Sequence, residues 1–182
     1  FGVLTAFSMV FAVGLLDDVY ELKAPPKFLA EFAAAALIVW ILPLPSHFFY
    51  NDTVSPWFVR AIVVLWIVGI TNAINLTDGL DGLAAGICLL AAMVNAVVAI
   101  WLGNHYMSVM MVLLAGSLLG FLRWNFHPAR VFLGDTGSLA LGGILGFVAL
   151  AVHQEILLLL AGAVFAVEAL SVMMQVGSYK VR

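Results

Sequence analysis

The sequence predicts an all-α, polytopic integral membrane helical bundle, and three observations carry that prediction. Hydrophobic residues make up 65% of the 182 positions and charged residues only 9%, with a mean hydropathy of +1.16. A water-soluble domain of this size has no way to cover so much apolar surface. The apolar residues also fall into runs of bilayer length, since roughly 20 helical residues rising about 1.5 Å each cross the hydrocarbon layer. The polar residues collect into short clusters between those runs.

Seven runs reach or approach the required length, at about 1–16, 28–44, 58–75, 83–102, 106–123, 137–152 and 155–177. The first opens at Phe1, already inside an apolar stretch, and the chain stops at Arg182 just past another. It reads as a fragment of a single membrane domain over 1–182, incomplete at both ends, and the lack of a leader peptide is uninformative. Between the second and third runs, 43–57 carries three prolines with Asn51 and Asp52, which excludes a span there. Cys88 stands alone in an apolar run, so it is expected to pack and not to pair. A net charge of −3 gives no basic surface for nucleic acid.

Alternating the runs across a bilayer sorts the connecting segments onto two sides. Side one holds 17–27, 76–82, 124–136 and 178–182; side two holds 45–57, 103–105 and 153–155. Lys23, Lys27, Arg123, Arg130, Lys180 and Arg182 fall on or beside side one, leaving Arg60 near side two. By the positive-inside rule side one is cytoplasmic.

The acidic clusters all fall on that side. Asp17 and Asp18 are adjacent carboxylates after a span, which persist most easily where a cation offsets their repulsion; solvated helix-end acids are the plain alternative. Asn75, Thr77, Asp78, Gly79, Asp81 and Gly82 describe a sharply turning backbone rich in hydrogen-bonding groups. Asp81 is also placed to cap the helix beginning near Leu83. Asp135, between Gly134 and Gly137, leads into a span whose first amides favour an anion, with Asp135, Thr136 or Ser138 as the alternative N-cap. Upstream, Arg123, Trp124, Asn125, Phe126, His127 and Arg130 supply cations, an amide and aromatic rings that suit a headgroup, or a phosphate and a nucleobase.

Other features read as structural. His47, His105 and His153 lie on the opposite side without ligand spacing. Met107, Met110 and Met111 look like span packing. The pairs Gly116 and Gly120, and Gly142 and Gly146, fit close helix contacts. Glu168 sits deep in the last run, where a carboxylate needs a partner, a water-lined groove or an irregular helix.

At these motifs the chain resembles the polyprenyl-phosphate N-acetylhexosamine-1-phosphate transferases, over nearly its whole length from about Gly14 to Arg182. These membrane enzymes move a phospho-sugar from a UDP-linked amino sugar to a lipid phosphate with Mg²⁺. The segments 75–82, 138–143, 168–172 and 175–180 resemble the branch that transfers phospho-N-acetylmuramoyl-pentapeptide to undecaprenyl phosphate in peptidoglycan synthesis. The segments 17–23, 66–72 and 125–128 are more similar to the branch that transfers GlcNAc-1-phosphate. Glu21 stands where the first branch carries lysine, and a histidine-rich motif of the family lies beyond the last residue here. The fragment is therefore expected to be inactive alone.

The resemblance implies roles position by position. Asp135 is the implied Mg²⁺ ligand; Asp17 and Asp18 position or deprotonate the polyprenyl phosphate. Asn75, Asp78 and Asp81 hold the nucleotide sugar, Asn125 and Phe132 contact uridine, and Lys27 contacts a phosphate. It further implies a bacterial inner membrane location and leaves a homodimer as a candidate assembly. Two rivals remain: a prenyl-diphosphate transferase, whose aspartates repeat at i, i+4, and an ion-coupled transporter, whose polar groups line a path through the bilayer. Here the aspartates sit three apart between glycines and collect at one face, which favours the phospho-sugar transferase.

Overall fold

A computed structural model describes residues 2–41, 55–151 and Met174 of the chain. Six helices account for almost all of them: α1 (Gly2–Tyr20), α2 (Ala24–Ile41), α3 (Pro56–Thr77), α4 (Leu83–Trp101), α5 (His105–Asn125) and α6 (Gly134–Ala151). No strand occurs among the described residues, so the all-α expectation holds. Five helices, α2 to α6, are long and apolar enough to cross a bilayer, and α1 occupies the first expected run. The run at 155–177 lies outside the described residues, as do Glu168, His47, His153, Asp52, Lys180 and Arg182.

The helices extend past the apolar runs at the polar end. Helix α1 continues through Asp17 and Asp18 to Tyr20, so both acids occupy its last turn. Helix α2 begins at Ala24 with Pro25 and Pro26 in its first turn, where a missing N–H costs nothing. Helix α6 begins at Gly134, three residues before the expected start. Polar residues are tolerated in these terminal turns because they lie where the bilayer gives way to water.

Helix α6 is the hub. It packs against α1, α3 and α4, while α2 bridges α1 and α3, and α5 lies along α4. In lipid, close packing takes over from hydrophobic exclusion as the force between helices, and small residues let backbones approach. Gly142 and Gly14 do this here. A Cβ on Gly142 would sit 2.5 Å from the Cα of Thr71 on α3, and one on Gly14 would sit 2.6 Å from the carbonyl oxygen of Asp135 on α6. Gly146 also approaches Ile70. Gly116 and Gly120 do not behave as expected: both face open space among the described residues.

The outer surface is apolar, as lipid contact requires, with Leu29, Leu65, Leu90, Val97 and Leu113 exposed. At the end of the bundle away from the acids, Arg60 lies 5.0 Å from the Trp57 ring and 6.0 Å from that of Trp40, in a belt that also includes Trp101 and Tyr106. Cys88 is a buried free thiol and Met111 is fully buried in the core, both as expected.

Substituting Gly142 with alanine should lower the melting temperature of the protein in detergent, since the added carbon meets backbone and overpacking of this kind costs roughly 1–3 kcal/mol. Gly116→Ala, which meets nothing, should leave it unchanged or raise it.

Candidate active site

Helix ends that are remote in sequence meet at one end of the bundle. Lys27, near the start of α2, donates from Nζ to Asp17 Oδ2 at 2.8 Å and also to Asp135 Oδ2. Asn75, in the last turn of α3, donates from Nδ2 to Asp135 Oδ1 and to Ser138 Oγ, the latter at 2.8 Å. Asp17 Oδ1 accepts the Leu22 amide at 2.6 Å. Asp135 is thus gripped on both oxygens, by a cation from α2 and an amide from α3.

Two carboxylates at the C-terminal end of α1 oppose the helix dipole and each other. Their compensation comes from outside α1. Lys27 answers Asp17, and the first turn of α6 answers Asp18. Asp18 Oδ1 accepts the Asp135 amide at 2.7 Å; its Oδ2 accepts the Thr136 amide at 3.0 Å and the Thr136 hydroxyl. Asp18 therefore caps α6 from another helix, in place of the alternative local N-cap from Asp135, Thr136 or Ser138. Ser138 instead donates to the Gly134 carbonyl at 2.9 Å. The anion-favouring start of α6 exists as expected, but the chain's own carboxylate fills it. Gly134 makes this possible: its φ is +62°, and a Cβ there would fall 2.7 Å from Asp18 Oδ2.

Asp81 and Asn125 are placed differently from Asp78. Asp81 Oδ2 accepts the Ala129 amide at 3.0 Å and lies 3.0 Å from His127 Nδ1. The Ala129 amide first, and His127 second, hold its carboxyl below the ordinary range. It does not cap α4; Gly82, at φ +74°, occupies that position without a side-chain bond. Asn125 is buried, accepting the Gly82 amide at 3.1 Å and donating to the Val131 carbonyl at 3.0 Å. Both residues stitch the 78–82 turn to the 126–133 segment, and neither lines the cleft described next. The carboxamide of Asn125, expected to face a nucleobase, is committed to backbone groups.

The cleft, about 590 Å³, is lined by Asp17, Asp18, Glu21, Leu22, Asn75, Asp78, Phe132, Gly134 and Asp135. Among the described residues, the carboxylates of Asp78 and Glu21 make no hydrogen bond or ion pair, although the Asp78 amide donates to the Asn75 carbonyl and the Glu21 amide to that of Asp17. Burial first, and the charges of Asp135 and Asp18 second, push the Asp78 carboxyl up to about 6. Phe132 is exposed at the rim. Sequence reasoning missed the contributions of Thr136 and Ser138 as hydrogen-bonding partners, and Glu21 as a lining group. The cue for Thr136 and Ser138 was their place in the first turn of α6.

The ligand candidates here are carboxylate oxygens, hard donors of the kind Mg²⁺ prefers. Among the described residues, no three His, Cys, Asp or Glu side chains are arranged to hold one metal ion together. Mg²⁺ needs fewer: one or two carboxylates, the rest being waters and substrate phosphates. Asp17 and Asp135 already converge on a single cation, the Lys27 ammonium. The carboxylates present are thus chemically compatible with such an ion.

Because the Asp78 carboxyl ionises only near pH 6 in the fold, against about 3.9 when unperturbed, its stabilising contribution is present below about pH 4 and lost as pH rises through 6. Without divalent cations, Asp78→Asn should raise the melting temperature above pH 6 and leave it unchanged near pH 4. An equal effect at both pH values contradicts this assignment.

The chain is similar to several known proteins. A phospho-N-acetylmuramoyl-pentapeptide-transferase of Clostridium novyi is 48% identical over 193 aligned residues, covering 97% of this chain and 59% of the relative. One from Levilactobacillus brevis is 39% identical over 93% of this chain and 57% of its own length. One from Moorella thermoacetica is 50% identical over 68% of this chain and 39% of its own. The chain thus spans about three-fifths or less of the length of these relatives. The profile of the family described as "Glycosyl transferase family 4" matches residues 1–153, a stretch that includes every residue of the cleft: the chain belongs to glycosyl transferase family 4.

Proposed function

We propose that the protein to which this chain belongs transfers phospho-N-acetylmuramoyl-pentapeptide from its UDP-linked donor to undecaprenyl phosphate, releasing UMP and forming lipid I. The reading rests above all on one observation: Lys27, Asn75 and Asp17 converge with Asp135 at the membrane edge, where a lipid phosphate and a water-soluble nucleotide are able to meet. The printed names of the relatives support the donor. Side one, which carries the cleft, is the cytoplasmic face by its cations.

In this mechanism an oxygen of the lipid phosphate attacks the sugar-linked phosphorus of the donor. The bond from that phosphorus to the bridging oxygen breaks, and UMP leaves. Asp135 would hold Mg²⁺, which when bound would supply neutralisation of the diphosphate charge. Lys27 offers a second positive charge to a phosphate oxygen, at a point already framed by two carboxylates. Asp17, 9% exposed and facing the cleft, is held by the Leu22 amide and the Lys27 ammonium, so it is placed to orient the lipid phosphate through Lys27. Asp18, with both oxygens engaged by the start of α6, acts by fixing Asp135. Asp78, without partners, is the carboxyl left available to the donor. Phe132 at the rim offers a ring for uracil stacking.

A second reading, GlcNAc-1-phosphate transfer from UDP-GlcNAc, is favoured by a single observation: Glu21 lines the cleft. There it adds negative charge where the first branch carries a cation.

Asp135→Asn in the full-length enzyme should lower UMP release by at least ~10²–10³-fold, the range seen when one electrostatic contact to the transition state is lost. Near-normal turnover would remove Asp135 from the metal role.

A further inference from the structure

Below the site lies a buried polar contact that the proposed chemistry does not use. Glu31 is 3% exposed on α2, in a segment that crosses the bilayer. Its Oε2 accepts from Asn72 Nδ2 on α3. Asn72 also donates to the Val68 carbonyl at 2.9 Å, which fixes the amide's orientation on its own helix. Glu31 Oε1 is buried with no partner among the described residues. A buried unsatisfied oxygen costs roughly 1–3 kcal/mol, and a carboxyl inside a bilayer is costlier than any apolar replacement. Stability alone does not account for it.

Its position does. Glu31 lies four residues beyond Lys27 on α2, and Asn72 lies three residues before Asn75 on α3, so each pair shares a helix face one turn apart. Lys27 and Asn75 grip the two oxygens of Asp135. The Glu31–Asn72 contact joins the same two helices one turn deeper, about 5 Å further into the membrane. Two rungs thus link α2 and α3, the lower one directly and the upper one through Asp135 of α6. We propose that Glu31 is a positioning residue: its contact with Asn72 locks α2 against α3 and so holds Lys27 and Asn75 on Asp135.

The turnover consequence rests on the transferase reading; the structural consequence does not. Lys27 acylation by a water-soluble activated ester, read by mass spectrometry against exposed Lys23 in the same full-length protein, reports the upper rung directly. Glu31→Ala and Asn72→Ala should each raise the Lys27-to-Lys23 labelling ratio and lower UMP release by ~10–100-fold, the usual range for loss of a supporting contact. Glu31→Gln keeps an oxygen facing Asn72 and should leave both readouts close to the parent. The double alanine variant should be no worse than either single one, because each breaks the same contact. Should Glu31→Ala fail to fold, Asn72→Ala and Glu31→Gln carry the same comparison. An unchanged labelling ratio in Asn72→Ala overturns the proposal, and so does a Glu31→Gln variant labelled as strongly as an alanine one. A parent protein without turnover, but with the expected labelling pattern, overturns the transferase reading and supports this one.

Discussion

The site depends on a problem of like charge at the edge of a bilayer. Asp17, Asp18, Asp78 and Asp135 all reach one cleft, and two carboxylates about 4 Å apart repel by roughly 4 kcal/mol even at an effective dielectric of 20. Two compensations hold them there. Lys27 places one ammonium between Asp17 and Asp135, and the amides at the start of α6 receive Asp18. The first ties α1, α2 and α6 together and the second ties α1 to α6, so neutralising the site and assembling the bundle are the same event. Asp78 has neither compensation; burial first, and the charges of Asp135 and Asp18 second, raise its carboxyl.

That arrangement explains why α6 is the hub. Its first turn presents amides to α1, its Asp135 meets α2 and α3, and its glycines admit α3 at backbone distance. The close approach of Gly142 to Thr71 and of Gly14 to Asp135 brings the polar ends within hydrogen-bonding reach. Packing in the apolar part of the bundle and chemistry at its end are therefore coupled: a shift of α6 by a fraction of a helical turn would separate Asp135 from Lys27 and Asn75 together.

Much of this was legible in the sequence because lipid imposes a simple pattern. Apolar run lengths located the helices to within a few residues, and their alternation placed Asp17, Asn75 and Asp135 at one end. The helix starts were less legible: α6 begins at Gly134 because a residue of another helix, Asp18, satisfies its amides. Sequence spacing holds no trace of a cap donated across 117 positions. The same limit applies to Asp81 and Asn125. Their neighbourhood with the glycine turn was readable, whereas their commitment to Ala129, His127, Gly82 and Val131 depends on how the 126–133 segment folds back. Glu31 was invisible for a related reason. A single glutamate near the start of an apolar run resembles an interfacial residue until Asn72 is found opposite it.

The account's central claim is that this acidic, lysine-bridged cleft moves a phospho-sugar from a nucleotide to a lipid phosphate. The most direct test supplies the full-length enzyme in detergent with undecaprenyl phosphate and Mg²⁺, and compares UMP release from UDP-N-acetylmuramoyl-pentapeptide with that from UDP-GlcNAc. The account predicts release with the pentapeptide donor alone. Release with UDP-GlcNAc alone would keep the chemistry and reassign the donor, and folded protein that releases UMP from neither would contradict the claim itself.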